Sequence, residues 1–504
     1  MHLISITFSH YSKYLVLMPA ILLGVALAII SSVITMPVLY ADDNNSTSFS
    51  LNRSYMTDRP AFISLANSSS SPLNEEGEIK PLITSKENLS NGFSFPGIPD
   101  GLGAVEMEDG VIDLYVNHEY DSKENEGQHA KVSKLRLNET DGSIIGAELV
   151  IRDSQGYETL CSASLVQGYG FEHPLFLTNE EIDDGLVLAI DAINGSVYEL
   201  PWVGRFSHEN TIHVPYFYQN ANKTVVMGFE DGDETESEVY MYVADSPAGL
   251  LHGNGQLYVF GADDNSTYNT WDDIYYDSNG TKVDGKFIPL KWDYKTQNET
   301  DLNAESVAVG GFQFIRPEDG TMDKRAEMQN ILYMADTGGV SDENDETIPA
   351  GSNGQNWTNG RIYQFEFKER TDPTMVTLNV MFDGNDPKAP GYHVLTNPDN
   401  LDTSQNSLMI NEDRIDANRF NASSPYNVSQ NAQILKVNLE NPSGIIPIAY
   451  VNQIEDRETA HGDWESTGIL DASKYFGDGT WLINVQAHTI GEGGQLLLMK
   501  IPGS

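Results

Sequence analysis

One unit recurs six times along this chain, and that recurrence limits the possible folds more than any other feature. An apolar strand ends in a polar or acidic pair, a loop follows, and a second strand with alternating apolar residues answers it. The copies begin IDLYVNHEY at Ile112, PLFLTNEE at Pro174, TVVMGFEDGD at Thr224, ILYMADTGG at Ile331, SLMINEDR at Ser407 and TWLINVQAHT at Thr480. Their answering strands read AKVSKLRLN, LVLAIDAINGSVYELP, EVYMYVAD, GRIYQFEF, AQILKVNLE and GGQLLLMKI. Short β-rich runs separated by Gly, Asn and Asp clusters indicate an all-β protein. A small sheet cannot bury both faces alone, so repeated sheets pack around an axis and leave only short, protected edges. The pattern predicts a six-bladed β-propeller with loop insertions over residues 92–504. Its repeats exceed the ~40–50 residues of common propeller units, and the excess falls mainly between Pro247 and Lys291. Asn194-Gly195 fits a hairpin turn, because both residues accept positive φ.

The acids fall in register with the repeat. Glu119, Glu180, Glu230, Asp336 and Glu412 all stand where a strand hands over to a loop, and His488 takes the sixth position. If the strands are equivalent, these side chains converge on one end of a central channel. A ring of carboxylates repels itself unless cations neutralise it. The ordinary explanation, six unrelated turn acids, draws on the turn preference of Asp and Asn, but it does not explain the common register.

Charge and composition narrow the partners. Against 74 acids there are 29 bases, for a formal net charge of -45. Phosphate backbones need surplus Lys and Arg, so nucleic acid is excluded, and an anionic membrane surface with it. Surface acids confer solubility, and carboxylate oxygens also bind divalent cations. The single cysteine, Cys161, permits no disulfide within the chain and no Cys-rich zinc site. By its spacing it reads as a small buried hydrophobe or as a metal ligand.

The N-terminus reads as a targeting segment. Lys13 precedes an apolar run from Tyr14 to Tyr40, and Leu39-Tyr40-Ala41 gives way to Asp42-Asp43. Residues 1–41 are expected to be a signal peptide or, uncut, an N-terminal membrane anchor. Fourteen N-x-S/T sequons, among them Asn88, Asn138, Asn222 and Asn427, fit an exported glycoprotein. Residues 42–91 are polar and Ser/Asn-rich and read as a linker. The expected location is extracellular or at the cell surface, as a monomer.

Several familiar chemistries are absent: no G-x-S-x-G elbow, no Walker P-loop, no G-x-G-x-x-G and no EF-hand loop. His208 and His213 lie five apart rather than four, with Pro215 close behind, which rules out a zincin helix. Four segments stand out instead: Gly204-Arg205-Phe206-Ser207-His208-Glu209; Phe314-Ile315-Arg316-Pro317-Glu318; Asn397-Pro398-Asp399-Asn400-Leu401 with Asn411-Glu412-Asp413; and Trp464-Glu465-Ser466-Thr467-Gly468 with Gln486 and His488. Arg316 beside Glu318 can place a metal-holding carboxylate next to a guanidinium that grips an anion bidentately. A structural Arg–Glu pair has the same spelling.

The order of these segments resembles the PhoX-type alkaline phosphatases, from Pro99-Asp100-Gly101-Leu102-Gly103 to the Gln486/His488 region. The resemblance implies a six-bladed propeller that hydrolyses phosphate monoesters with a buried iron–calcium cluster. It implies Cys161 as an iron ligand, and Glu180, Glu181, Glu209, Glu318, Asp399, Glu412 and Asp413 as further metal ligands; the repeat register adds Glu119 and Glu230, and the Trp464-Glu465 segment adds Glu465, as candidate ligands. It implies Arg316 as the catalytic, charge-stabilising and substrate-binding arginine; Asn400, beside Asp399 in its segment, is a further candidate for binding substrate. The chain departs from the family at three places. Cys161 runs into Ser162-Ala163-Ser164-Leu165 rather than a Gly-rich stretch, Asn179 stands where a second cysteine is common, and Gln486-Ala487-His488-Thr489 replaces Q-H-P-G. Two other readings use the same scaffold: a calcium-dependent lactonase-type hydrolase, and a non-catalytic, calcium-stabilised cell-surface propeller.

Overall fold

The structure is a computed structural model that describes residues 49–66, 77–107, 110–232, 237–263, 268–274, 282–339, 358–392, 394–414, 431–453 and 463–504. The expected targeting segment lies outside these residues. No helix among the described residues is long and apolar enough to cross a membrane.

Nearly all the regular structure is antiparallel β-sheet. Three N-terminal strands come first: β1 (Ser50–Tyr55), β2 (Ile63–Leu65) and β3 (Glu78–Thr84). A meander follows, β4 (Pro99–Glu106), β5 (Val111–His118), β6 (Lys131–Asn138) and β7 (Ile144–Ile151). The next is β8 (Leu160–Val166), β9 (Leu175–Glu180), β10 (Val187–Asp191) and β11 (Val197–Glu199). Then come β12 (His208–His213), β13 (Thr224–Glu230), β14 (Val239–Ala244), β15 (Gly255–Ala262) and β16 (Lys282–Pro289). The last three sets are β17 (Pro317–Met322), β18 (Ile331–Asp336), β19 (Arg361–Phe367) and β20 (Met375–Asp383); β21 (Pro398–Thr403), β22 (Ser407–Glu412), β23 (Gln433–Asn438) and β24 (Ile445–Val451); and β25 (Trp464–Asp471), β26 (Thr480–Ala487) and β27 (Gly493–Lys500). Each expected hairpin is therefore a pair of adjacent strands, and Asp191–Ser196 closes one of them with Gly195 at φ 74°.

Among the described residues these strands form five sheets, and their arrangement is propeller-like. One has nine strands in the order β12-β13-β14-β15-β16-β20-β19-β18-β17. The stretch expected as a loop insertion supplies β15 and β16, and β16 pairs with both β15 and β20. The first strands of the meanders abut in a closed cycle, β4 to β8, β12, β17, β21, β25 and back to β4.

Packing follows the alternation within each strand. In β5, Ile112, Leu114 and Val116 pack with Leu482 and Leu496 of the last sheet. Tyr115, on the opposite face, packs with Phe176 of the next meander, their rings stacked at 5.3 Å. Because side chains alternate with period two, both faces of one strand are buried against different neighbours. Among the described residues the core consists of six apolar clusters between adjacent meanders rather than one central mass. Burying a side chain such as Phe176 contributes roughly 1.5–3 kcal/mol, so each face adds substantially to the fold.

Residues 42–91 are not the expected linker in their described part. β3 completes the last sheet by pairing with β27, β1 extends the first meander on β7, and β2 extends the fifth on β24. Lys and Asn in these strands gave them the look of a linker. Pairing at sheet edges tolerates such residues, because one face meets solvent.

Candidate metal centre

The second residue of each innermost strand is an acid or the cysteine: Asp100, Cys161, Glu209, Glu318, Asp399 and Glu465. A backbone irregularity aims five of them. In β4, Pro99 pairs with His118 but Leu102 with Val116, so one extra residue is inserted. The same one-residue bulge follows Leu160, His208, Pro317 and Pro398, and β25 carries one between Thr467 and Ile469. Bulges redirect side chains out of the regular alternation; in the first five strands the bulge spans the acid or cysteine, whereas Glu465 pairs in register with Gln486 and the β25 bulge lies beyond it. The strands approach closely enough that a Cβ on Gly101 would lie 2.4 Å from the Ala163 nitrogen.

A second tier comes from the residue just past each partner strand: Glu119, Glu181, Asp231, Thr337, Asp413 and His488. Five of these are fixed the same way. The N–H groups of Glu119, Glu181, Asp231, Thr337 and Asp413 donate to the carbonyls of Ile98, Thr159, Ser207, Arg316 and Asn397. All of the first tier, and the second tier except Asp231 and Thr337, line a cavity of about 140 Å³, with eight carboxylates, the Cys161 thiol, Arg316, Arg414, Thr467, Gln486 and His488 in its wall.

Part of the expected ring is corrected. Glu119 and His488 line the cavity, but Glu180, Glu230, Asp336 and Glu412 do not. Each of these four ends its strand, one residue before the second tier, and a one-residue step reverses the side-chain direction. They accept backbone N–H groups instead: Glu180 from Glu158 at 2.9 Å, Glu230 from Glu238 at 2.8 Å, Asp336 from Gly338 at 3.1 Å, and Glu412 from Thr396 and Gln433 at 3.0 Å. Asn400, expected to bind substrate, also lies outside the lining. It is the third residue of its strand, and its side-chain amide donates to Ser162 Oγ at 2.6 Å.

Of the expected ligands, Glu119, Cys161, Glu181, Glu209, Glu318, Asp399, Asp413 and Glu465 are brought together. Asp100, Asp231 and Arg414 were not singled out as site residues. The two acids could have been found from the phase of the repeat. Aligning the innermost strands as P-D-G, L-C-S, H-E-N, P-E-D, P-D-N and W-E-S exposes Asp100, and the second tier exposes Asp231.

Three ligand triads overlap within the cavity: Asp100, Glu119 and Cys161; Cys161, Glu181 and Glu209; and Glu209, Glu318 and Asp399. The donor atoms of each triad lie within 4.8 Å of one another. Cys161 and Glu209 are each shared by two triads. Among the described residues, Asp100 Oδ1, Glu209 Oε1 and Asp399 Oδ1 are buried with no hydrogen-bond partner. Orphaned carboxylate oxygens are costly in an interior, and this set fits cations that take oxygen ligands, with one sulfur ligand added.

The electrostatics agree. Burial, reinforced by Asp231 and Glu119, pushes Glu209 up to about 8. Burial and neighbouring acids likewise raise Asp100, Glu181, Asp399 and the Cys161 thiol well above their usual ranges. The Glu465 sector is balanced by the protein itself. His488 Nε2 lies 2.8 Å from Glu465 Oε1 and Nδ1 lies 3.1 Å from Glu492 Oε2. Against the effect of burial, these contacts raise His488 to about 10. Arg316 donates to both oxygens of Asp231, at 2.8 and 2.6 Å, and lies 3.2 Å from Glu318 Oε1.

Comparisons with known proteins add a family. The model described as "Alkaline phosphatase PhoX" matches residues 154–460, more than half of the chain. No curated protein matches the sequence. Among solved structures, the periplasmic gluconolactonase PpgL of Pseudomonas aeruginosa is similar at 10% identity and TM-score 0.36, covering 81% of this chain and 86% of that one. A putative 6-phosphogluconolactonase of Bacteroides uniformis reaches 12% identity and TM-score 0.30, covering 80% and 86%. A GH43_1 enzyme of Xanthomonas citri reaches 9% and 0.31, covering 80% and 86%. Likenesses this distant carry no argument about activity.

Proposed function

Because the chain belongs to the alkaline phosphatase PhoX family, we propose that it is a metal-dependent phosphomonoesterase whose reaction takes place in the acid-lined cavity. The observation that carries this reading is the chain of three overlapping triads, joined through Cys161 and Glu209 and set beside Arg316. In this reading the nine-stranded sheet counts as two four-stranded blades bridged by β16, which makes six blades with the six innermost strands around the channel.

Calcium suits the all-carboxylate triad of Glu209, Glu318 and Asp399, and iron suits the two triads that include Cys161. When bound, such cations supply Lewis acidity and the local positive field that an anionic ester requires in a protein of this charge. The chain's own groups do the rest. Arg316 is held in place by Asp231, so its guanidinium meets developing phosphoryl charge with little reorganisation. Gln486 donates to Glu119 Oε2 at 2.7 Å and to Asp100 Oδ2 at 3.2 Å, which orients two acids of one triad. Asn117 donates to the Cys161 carbonyl at 2.6 Å and steadies the strand that carries the thiol. His488, protonated through Glu465 and Glu492, contributes fixed positive charge to the wall.

The test is elemental analysis of the purified protein together with phosphate release from a generic monoester. Iron with calcium, and release that is lost in Arg316→Ala with the fold intact, supports the reading. Calcium alone with no release under any metal condition overturns it in favour of a non-catalytic propeller. We also place the protein outside the cytoplasm as a monomer, on the strength of its apolar N-terminal run and sequons. Recovery of the intact chain from the cytoplasmic fraction would refute that placement.

A further inference from the structure

The repeat lets equivalent positions be compared, and one of them breaks the pattern next to the cavity. The residue following each second-tier position is Tyr120, Ile182, Gly232, Gly338, Arg414 or Thr489. Only Arg414 is charged. Its main chain is anchored, with the N–H donating to Glu465 Oε2 at 2.9 Å. Its side chain is exposed and lines the cavity. Among the described residues its guanidinium makes no hydrogen bond or ion pair.

Arg316 is built differently. It stands just before an innermost strand, is partly buried, and gives its donors to Asp231 and Glu318. The cavity therefore carries one guanidinium locked in its wall and one with its donors available. Glu465, Asp413 and Glu119 attract Arg414 through space, but Glu465 already has the charged His488 at 2.8 Å, and among the described residues no carboxylate accepts a hydrogen bond from the guanidinium. Packing does not account for Arg414, because the side chain is exposed. An anion approaching a chain of charge -45 moves against the general field, and an available guanidinium at the cavity supplies a local attraction. The planar fork of five N–H donors matches phosphoryl oxygens bidentately.

We propose that Arg414 is a second substrate-binding arginine, gripping the phosphoryl oxygens of the incoming monoester opposite Arg316. The proposal rests on the phosphomonoesterase reading and adds the residue that sets affinity for the anion. Arg414 then acts in binding, so its loss moves KM and leaves kcat nearly unchanged.

The experiment compares metal-replete wild type, Arg414→Ala and Arg414→Lys. It measures steady-state hydrolysis of an aryl phosphate, inhibition by inorganic phosphate, and metal content. Loss of a charge-assisted hydrogen bond predicts that Arg414→Ala raises both KM and the phosphate inhibition constant about tenfold or more. Arg414→Lys recovers part of this, because it keeps the charge and loses the fork. Metal content stays the same, since removing a cation from an acidic wall does not weaken cation binding. The ionic-strength dependence of kcat/KM becomes shallower in Arg414→Ala. An active wild type with unchanged KM and inhibition constant in Arg414→Ala overturns this proposal alone. A variant whose loss of activity follows loss of metal also overturns it and makes Arg414 a counter-ion. A metal-replete wild type that neither hydrolyses the ester nor binds phosphate overturns the phosphatase reading and this proposal with it.

Discussion

Stripping the cations should make the protein's stability fall as pH rises, and Glu209 sets the scale. Its carboxyl is 1% exposed and is pushed from 4.5 up to about 8, first by burial and then by neighbouring acids. The folded protein therefore holds a proton that the unfolded chain has released over this range. A group raised in this way contributes stability that is complete below about 4.5 and is lost as pH climbs through about 8. The interval corresponds to about 5 kcal/mol at most, comparable to the whole stability of many domains. Bound cations reverse the preference, because they interact with the charged carboxylate. Glu180 and Glu230 are raised to about 7 and about 8 by burial but lie outside the cavity, so they leave a residual slope in either state. The assay is thermal unfolding by circular dichroism from pH 5.5 to 9, on chelator-stripped and metal-replete protein. Stripped protein should lose Tm with rising pH, and its gap to the replete form should widen. Stripped Glu209→Gln should be flatter, and more stable than stripped wild type at pH 9, while holding less metal. A stripped wild type whose Tm is constant or rises between pH 6 and 9 would refute the reasoning.

Other perturbations test other parts of the structure. Arg316→Ala should lower phosphate release by about 10²–10³ and destabilise the protein by about 3–5 kcal/mol, because it leaves Asp231 buried and unpaired; kinetics and denaturant melts read the two effects separately. The Cys161 thiol, buried and raised by burial and by Asp100, should resist alkylation at pH 7.5 in stripped native protein and react fully once unfolded, as seen by intact mass. Gly101→Ala should cost about 1–3 kcal/mol or more, since its Cβ would collide with the Ala163 backbone; an unchanged Tm would contradict the close approach of β4 and β8. Removing residues up to Thr84 deletes β1, β2 and β3 and leaves β27, still paired with β26, as an open sheet edge, so the truncated protein should aggregate, as judged by size-exclusion chromatography.

Much of the fold could be read along the chain because its signals are local. The paired strands were visible in apolar alternation, and the Asp191–Ser196 hairpin in its Asn-Gly turn. β15 and β16 were hidden in an apparent insertion, since part of that stretch is polar and β16 is an added strand outside the repeat. β1, β2 and β3 were mistaken for linker because their pairing partners lie far away in sequence: Thr84 pairs with Gln495, and Leu65 with Ala449.

The site divides along the same line. Sequence order alone determined that acids recur at the ends of repeated strands, and the resemblance to the PhoX-type phosphatases implied that Cys161, Glu209, Arg316, Glu318 and Asp399 belong to one constellation. Neither could say which of two adjacent acids faces the channel. Glu180 and Glu181, or Glu412 and Asp413, are equivalent as letters, but a strand sends consecutive side chains in opposite directions. Only the tertiary structure decided between them. In five of the innermost strands a one-residue bulge coincides with the inward-turned side chain, and in five of the six second-tier residues the N–H is tied to the carbonyl ahead of the strand.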